Sequence, residues 1–383
     1  MAVSTTWAVL FGGPSPEHEI SILTGLQSER VLTAAGDTVL PIYWAPAGGF
    51  YLVPSATEAK DYLEGVPANS KSVEVRLGEK SGLFIKKRFG EDQLEPEAVL
   101  VTLHGGVGEG GGAAALFSLL GIPATGSSLF AGAVGMDKLA FGGLLGTAGI
   151  PSLPRELLSQ TREPSFSGPY IVKPRFGGSS IGIEIVDDIA AARAIGKAST
   201  HLRSGAVLEP YRPDLVDLNI AFRTYPVLET TQLEKPLRGG SAESGLYSYA
   251  EKYLAGSAGT EAGLTSAPRE LPANVAPGIA ERADELARQV AEVTALTGVA
   301  RVDLLLDEST GELFVNEVNS IPGAMSLYLW APQQSAATVL RDALIEARDK
   351  RFQLPAAGFG SGAALRAAGG IAGKLVGLDG PRG

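Results

Sequence analysis

The chain has 383 residues, more than one hydrophobic core usually serves, so two or three domains are expected. At 45% hydrophobic and 19% charged the composition is globular and excludes disorder over most of the length, and a net charge of −10 argues against a sequence-independent nucleic-acid binder, which needs a basic footprint. With no Cys and three His, disulfides, Cys-ligated zinc, thiol nucleophiles and a His-rich metal site drop out together.

No window approaches the uninterrupted apolar length of a membrane helix, and the N-terminus lacks the basic start and apolar core of a signal peptide. A soluble cytoplasmic protein without a membrane partner is expected. Trp7-Ala-Val-Leu-Phe11 is a short apolar run that stops at Gly12-Gly13-Pro14, which predicts a buried strand ending in a tight turn. Pro16 to Leu23 opens a helix with Ile20, Leu23, Leu26 and Val31 broadly on one side. Strand, glycine turn and helix open an α/β layer fold, in which ligands bind beyond the carboxyl ends of the strands. Glu17 and Glu19 fall in that first turn, where a helix N-terminus favours negative charge. Val39–Trp44 predicts another strand.

Ala98-Val-Leu-Val-Thr-Leu103 is the next strand, running into His104-Gly-Gly-Val-Gly-Glu-Gly-Gly-Gly112 and a helix at Ala113–Leu120. Gly106, Gly108 and Gly111 satisfy G-x-G-x-x-G in the strand–loop–helix context of a dinucleotide site. The acidic residue expected about twenty positions on is missing. The glycines equally allow a backbone to approach some other ligand.

Met136-Asp137-Lys138 begins a helix through Leu145, ended by Gly149 and Pro151, which predicts a domain boundary. Pro169–Pro174 is a strand, followed by Arg175-Phe-Gly-Gly-Ser-Ser-Ile-Gly182 and a second strand at Ile183–Val186. A glycine-rich loop between two strands can present N–H groups and hydroxyls to phosphates, and Lys173 stands at its entrance. Gly178-Ser-Ser-Ile-Gly182 also fits G-x-S-x-G with Ser180 as nucleophile. That motif needs a helix directly after the serine and a later acid and His; here a strand follows, and the only downstream His, His201, comes too soon.

Gly205–Tyr211 is a further strand. Tyr247, Tyr249, Lys252 and Tyr253, followed by a small-residue stretch to Ser266, read as a functional lid. Ile279, Ala283, Leu286 and Val290 mark a core-facing helix over Pro277–Thr297. Arg301–Asp307 and Phe314–Asn319, joined by a turn containing Gly311, predict a β-hairpin. Alternate side chains share a face, so Glu317 and Asn319 point the same way, and Asp303 on the partner strand can face the same space. Such oxygen donors suit Mg²⁺ rather than Zn²⁺; the competing reading is the solvated face of an edge hairpin. Ser335–Arg348 reads as a helix capped by Ser335, and a loosely held Gly/Ala-rich tail begins near Ala356.

With these pieces in order the chain resembles the D-alanine–D-alanine ligases of the ATP-grasp superfamily, from about Trp7 to Lys350. The motifs carrying the resemblance are Phe11-Gly-Gly-Pro-Ser-Pro-Glu-His-Glu-Ile-Ser21, His104-Gly105 with Gly108-Glu109, Met136-Asp-Lys138, Lys173-Pro with Gly178-Ser-Ser-Ile-Gly182, Lys252-Tyr253, Arg301-Val-Asp303, and Asn316-Glu-Val-Asn319 with Ile321-Pro-Gly323. The resemblance implies an ATP-grasp fold, α/β and α+β. An N-terminal Rossmann-like (preATP-grasp) substrate domain would span 1–132, a central ATP-grasp subdomain 133–212, a C-terminal metal and catalytic domain 213–355, and the tail 356–383. It also implies a homodimer. The implied reaction activates one amino acid's carboxylate with the γ-phosphate of ATP. The amine of a second then attacks the acyl phosphate, giving a dipeptide, ADP and phosphate, as in peptidoglycan biosynthesis.

Carried onto these residues, the resemblance implies that Asp303, Glu317 and Asn319 hold two Mg²⁺ ions, or Mn²⁺ in their place. Lys138, Lys173 and Lys252 would meet ATP phosphates beneath the loop of Gly177, Gly178, Ser180 and Gly182. Glu209 would lie near the adenine and Asp217 toward the ribose. Glu19 would anchor the first amino acid's ammonium, with Ser179 and Tyr253 linking Glu19 to the lid. Arg301 and the Gly323 backbone N–H would stabilise the oxyanion, and His104 would lie near the first substrate. For His104 and Asp217 a purely structural role competes. Departures from the family pattern cluster at the second substrate. Gly110-Gly111-Gly112 follow Glu109, and Tyr328 stands where the family has a Ser that holds the second carboxylate. A related ligase with a different acceptor is thus the first alternative, and a non-catalytic ATP-binding module the second.

Overall fold

Strand β1 (Thr6–Gly12) is buried from Trp7 onward and lies between two parallel neighbours, β2 (Thr38–Trp44) and β7 (Ala98–Val101). A strand covered on both faces needs the near-continuous apolar run seen in its sequence. In this computed structural model the described residues are 5–237, 268–350, 362–367 and 371–375. Contacts divide the chain into two compact units, Met1–Arg351 and Phe352–Gly383. The second contains the short helices Ala363–Ala367 and Ile371–Leu375. All that follows concerns the first.

The first sheet is extended by an antiparallel meander, β3 (Phe50–Leu52), β4 (Lys71–Arg76), β5 (Gly82–Lys86) and β6 (Glu91–Leu94), in the order β6-β5-β4-β3-β2-β1-β7. The helix His18–Ala34 lies so close to β1 that a Cβ at Gly25 would stand 2.4 Å from the Cβ of Phe11, so only glycine fits there.

A second sheet holds β8 (Glu156–Leu157), β9 (Tyr170–Pro174), β10 (Glu184–Val186) and β11 (Ala206–Pro210), in the order β10-β9-β11-β8. The helix Ile189–Ala198 packs against it through Ala192 beside Tyr170, Val172 and Leu208. The third sheet holds β12 (Val216–Arg223) and β13 (Glu229–Thr230); a separate two-stranded ribbon, β14 (Lys235–Pro236) with β15 (Arg269–Glu270), intervenes in the chain before β16 (Val299–Asp307) and β17 (Glu312–Asn319) complete the order β13-β12-β16-β17.

The cores do not follow the order of the chain. Phe141, Leu145 and Ile150, from the helix Lys138–Ala148 and its exit, share a core with Leu218, Val302 and Val315 of the third sheet and with the helix Ile279–Thr294. Ile321, Met325, Leu327, Trp330, Leu340 and Leu344, which follow β17, belong instead to the core of the first sheet with Trp7, Leu10 and Val99. The segment leaving β17 therefore passes from the third sheet onto the first, and the candidate site lies at that crossing.

Three expected elements agree with the structure in detail. Asp137 caps the helix Lys138–Ala148, accepting from the N–H groups of Leu139 and Ala140, and Gly149 ends it in the left-handed conformation. Ser335 caps the helix Ala336–Asp349. The strand after the Gly178–Gly182 loop is β10, not a helix, which removes the nucleophile-elbow reading of Ser180.

Candidate active site

The hairpin of β16 and β17 carries the centre of the site. Asp303 pairs with Glu317 and Arg301 with Asn319, but the register shifts between Asp303 and Leu304, whose partner is Val315. Asn316 is thus the extra residue of a β-bulge, a device that re-aims side chains next to active sites. As a result the consecutive residues Asn316 and Glu317 both line the same cleft, while Val315 and Val318 stay in the core.

That cleft encloses about 920 Å³ open to solvent and lies between the second and third sheets. Its lining includes Lys138, Lys173, Gly177, Gly178, Ser180, Glu209, Asp217, Asn316 and Glu317. Leu153, Ile171, Ile181, Leu215 and Leu305 give it apolar walls. An apolar slot ending in cations and a glycine-rich loop suits a nucleotide. Lys173 Nζ donates to Glu209 Oε2 at 2.7 Å and to Asn316 Oδ1 at 3.3 Å. Lys138 Nζ donates to the Gly177 carbonyl, and burial holds its ammonium below the usual lysine range. Burial pushes Glu209 up, yet Lys173 and Arg155 beside it more than offset this and hold it below the usual carboxylate range. Gly182 does not line this cleft. It sits at φ +74°, where a Cβ would come 2.5 Å from the Cβ of His201, so the conformation and packing of the loop call for glycine there.

A second cleft of about 600 Å³ is lined by Glu17, His104, Glu109, Lys138, Gly177, Gly178, Arg301, Glu317, Asn319, Ile321 and Gly323, among others. Lys138, Gly177, Gly178 and Glu317 line both clefts, so the cationic end of the first opens into the second. Asp303 is held by Arg301 at 2.6 and 2.9 Å and accepts from Asn319 Nδ2 at 3.1 Å. Among the described residues no group of three or more His, Cys, Asp or Glu converges on one point. Two carboxylates and an amide oxygen fit a hard cation that takes its remaining ligands from water and phosphate, as Mg²⁺ does.

One expected residue is corrected. The carboxylate joined to the glycine-rich loop is Glu17, not Glu19. Ser179 Oγ donates to Glu17, which is 7% exposed, whereas Glu19 is exposed. The helix begins at His18, which puts Glu17 at its N-cap position, facing inward. Two residues further on, a helix has turned about 200°, which takes Glu19 to solvent. Ser179 and Ser180 adopt φ +52° and +59°, the left-handed region that non-glycine residues enter at a cost, and such outliers gather at functional loops.

His104 is buried. Its Nε2 lies 2.9 Å from Thr24 Oγ1, and burial, partly opposed by a hydrogen bond to the Ile321 backbone, pushes its pKa down to about 4. Glu109 accepts from the N–H groups of Gly105 at 2.8 Å and Ile321 at 3.2 Å and from the Ser320 hydroxyl at 3.3 Å; burial pushes its pKa up to about 7. Gly323 opens a turn in which Ala324, Met325 and Ser326 all have φ near +50°. The Tyr328 hydroxyl donates to Glu234 at 3.1 Å, and the Arg269 guanidinium stacks 4.2 Å above its ring. Neither cleft has Tyr328 in its lining. Lys252, Tyr253 and the expected lid lie outside the described residues.

Sequence reasoning missed Glu17, Glu109, Asn316 and Arg155 as site residues. Glu17 and Glu109 both stand inside the motifs that carry the resemblance, which was the available signal, although the motif alone does not separate Glu17 from Glu19. Arg155 offers no such signal, because its partners come from other parts of the chain.

Residues 6–127 match the family model for the D-ala D-ala ligase N-terminus and residues 133–347 that for the D-ala D-ala ligase C-terminus. The D-alanine–D-alanine ligase of Deinococcus radiodurans is 30% identical over 329 residues, 82% of this chain and 88% of its own length. That of Methylobacterium sp. (strain 4-46) is 31% identical over 367 residues, 88% and 90% of the two chains. Among solved structures, the VanG D-Ala:D-Ser ligase from Enterococcus faecalis superposes with a TM-score of 0.73 at 23% identity, covering 90% of this chain and 100% of its own. The D-alanine–D-alanine ligase from Coxiella burnetii gives 0.73 at 20%, covering 91% and 95%. The fold is the ATP-grasp fold of these ligases, mixing helices with several sheets.

Proposed function

The chain belongs to the D-alanine–D-alanine ligase family, and on that premise we propose that its two joined clefts condense D-alanine with D-alanine at the expense of ATP, through an acyl phosphate. The observation that carries this reading is the shared wall. Lys138, Gly177, Gly178 and Glu317 border both the slot suited to a nucleotide and the smaller cleft lined by Glu17, Arg301 and Gly323. A phosphoryl group held at that wall is within reach of a carboxylate bound in the smaller cleft, and proximity of this kind removes much of the barrier.

In this reading Lys138 and Lys173 hold the phosphates and Gly177, Gly178 and Ser180 cover them, while Glu209 and Asp217 line the nucleoside part. Glu17, acidic and buried, receives the first substrate's ammonium. Arg301 and the Gly323 N–H meet the oxyanion formed when the second amine attacks. His104, neutral at physiological pH, acts as a hydrogen-bonding group rather than a cation. A divalent cation held by Asp303, Glu317 and Asn319 would neutralise charge on the transferring phosphoryl group. The family uses ATP and a divalent metal; two Mg²⁺ ions are our proposal for this site. We further propose that the protein works in the cytoplasm as a homodimer. Among the described residues no helix is long and apolar enough to cross a membrane.

The test is ADP release with Mg²⁺ and ATP across D- and L-amino acids, singly and in pairs. Turnover with D-alanine alone is expected. Turnover only with a mixed pair would replace the acceptor, and no amino-acid-stimulated release would remove the ligase assignment.

A further inference from the structure

Lys173 is asked to serve two anions. Its ammonium lies 2.7 Å from Glu209, whose side chain is 1% exposed, yet the nucleotide reading turns the same ammonium toward phosphate. A buried carboxylate stripped of its only cation is strongly unfavourable, so Lys173 could leave only if another positive charge stayed behind. Arg155 supplies one. Its Nε stands 2.7 Å from Glu209 Oε1, and its side chain is 4% exposed. Its other nitrogens are tied to main chain, Nη1 donating to the Lys138 carbonyl at 3.1 Å and Nη2 to the Asn316 carbonyl at 2.8 Å. The guanidinium is thus held by the helix Lys138–Ala148 and by the bulge of β17. Room for it depends on Gly142, where a Cβ would come 2.9 Å from Arg155 Cδ. Lys173, by contrast, carries its charge on a flexible stem and donates to Glu209 and Asn316, both side chains of the cleft wall.

We propose that Arg155 is the standing counter-ion of Glu209 and thereby a positioning residue that releases Lys173 to the nucleotide's phosphates. This rests on the reading of the larger cleft as the nucleotide site. The role is specific to the phosphates: a nucleoside does not call on Lys173.

The test measures binding of adenosine and of a non-hydrolysable ATP analogue to the wild type, Arg155→Leu, Arg155→Lys, Glu209→Gln and the double variant Arg155→Leu/Glu209→Gln, with thermal melts to confirm folding. Arg155→Leu should weaken the analogue roughly 10- to 100-fold, about one to two decades of affinity, and leave adenosine within about threefold. Arg155→Lys should retain most of the wild-type affinity. Neutralising Glu209 in the double variant should return analogue binding to the level of Glu209→Gln alone, because Lys173 is then free without a substitute. Equal losses for both ligands, no loss, or no restoration would overturn the proposal. Should Arg155→Leu not fold, the comparison of Glu209→Gln with the double variant decides: similar analogue affinities support the role, and a tenfold gap removes it. A wild type that binds adenosine and the analogue equally weakly would instead overturn the cleft assignment, and the role of Arg155 with it.

Discussion

The hydroxyl of Ser179 donates to the carboxylate of Glu17, joining the glycine-rich loop after β9 to the N-terminus of the helix His18–Ala34. The two acids of that helix start are therefore not equivalent. Glu17→Gln should raise the KM for the first amino acid by roughly tenfold or more, since a charge-assisted hydrogen bond at a buried site contributes about 1.5–3 kcal/mol. Glu19→Gln should leave both kcat and KM within about twofold, as surface changes usually do. Steady-state kinetics on the two variants decide between them, and a larger effect at Glu19 would reverse the assignment.

The oxygen donors of the β16–β17 hairpin predict a dependence on divalent metal. Chelation with EDTA should abolish turnover, and added Mg²⁺ should restore it. Glu317→Ala should reduce kcat by at least about 100-fold, because even outer partners of metal sites account for 10- to 100-fold. Its melting temperature should stay close to that of the wild type, since Glu317 lines an open cleft and is not part of the core. Full activity in the variant would remove Glu317 from the site.

His104 predicts a pH dependence of stability. Its pKa in the fold is about 4, below the ordinary 6.5, because burial disfavours the charged ring. Between those values the unfolded chain binds the extra proton, so this residue's contribution is intact above about pH 6.5 and falls as pH drops toward 4. The loss attributable to it is on the order of 3 kcal/mol. The direct measurement is a histidine NMR titration, in which the His104 ring should keep its neutral shifts from pH 8 to pH 5. A midpoint near 6.5 would show that the ring is solvated.

The turn after Gly323 carries three non-glycine residues at φ +49°, +50° and +50°. Left-handed backbone costs an L-residue about 1–2 kcal/mol. Ala324→Gly relieves that strain but makes the unfolded chain more flexible, which offsets about 0.4–1 kcal/mol of it. The net expectation is a stability unchanged or raised by up to about 1.6 kcal/mol, read from chemical denaturation. Ala324→Val should be destabilising, since a β-branched side chain tolerates this region worst. A loss on Ala324→Gly larger than that on Ala324→Val would contradict the geometry.

What the sequence disclosed follows from how local each signal is. β1 and β16 are largely buried runs and β17 interleaves buried with half-buried residues, and their apolar pattern placed all three; the sequence put Asp303 on the partner strand, and only the pairing sets it opposite Glu317. The meander β3 to β6 went unread because its strands have three to six residues and carry charge, as in Lys71–Arg76 and Glu91–Leu94. The bulge at Asn316 is a property of the pairing and not of either strand, so no run of residues announces it. Glu17 and Glu19 could be told apart only once the helix start was fixed at His18. Arg155 became visible only when Glu209, Lys138 and Asn316 were brought around it.

Trp330, Leu340 and Leu344, late in the chain, are at most 1% exposed within the core of the first sheet, most of which forms from residues synthesised much earlier. During translation that sheet must wait, with an apolar face uncovered, until the helix Ala336–Asp349 has left the ribosome. A chain stopped at Ser320 would keep every strand of all three sheets and still be digested rapidly by protease, whereas one stopped at Lys350 would resist. Completion of the N-terminal half is thereby timed by the C-terminal end, so a truncated product has no finished half to persist as a bystander.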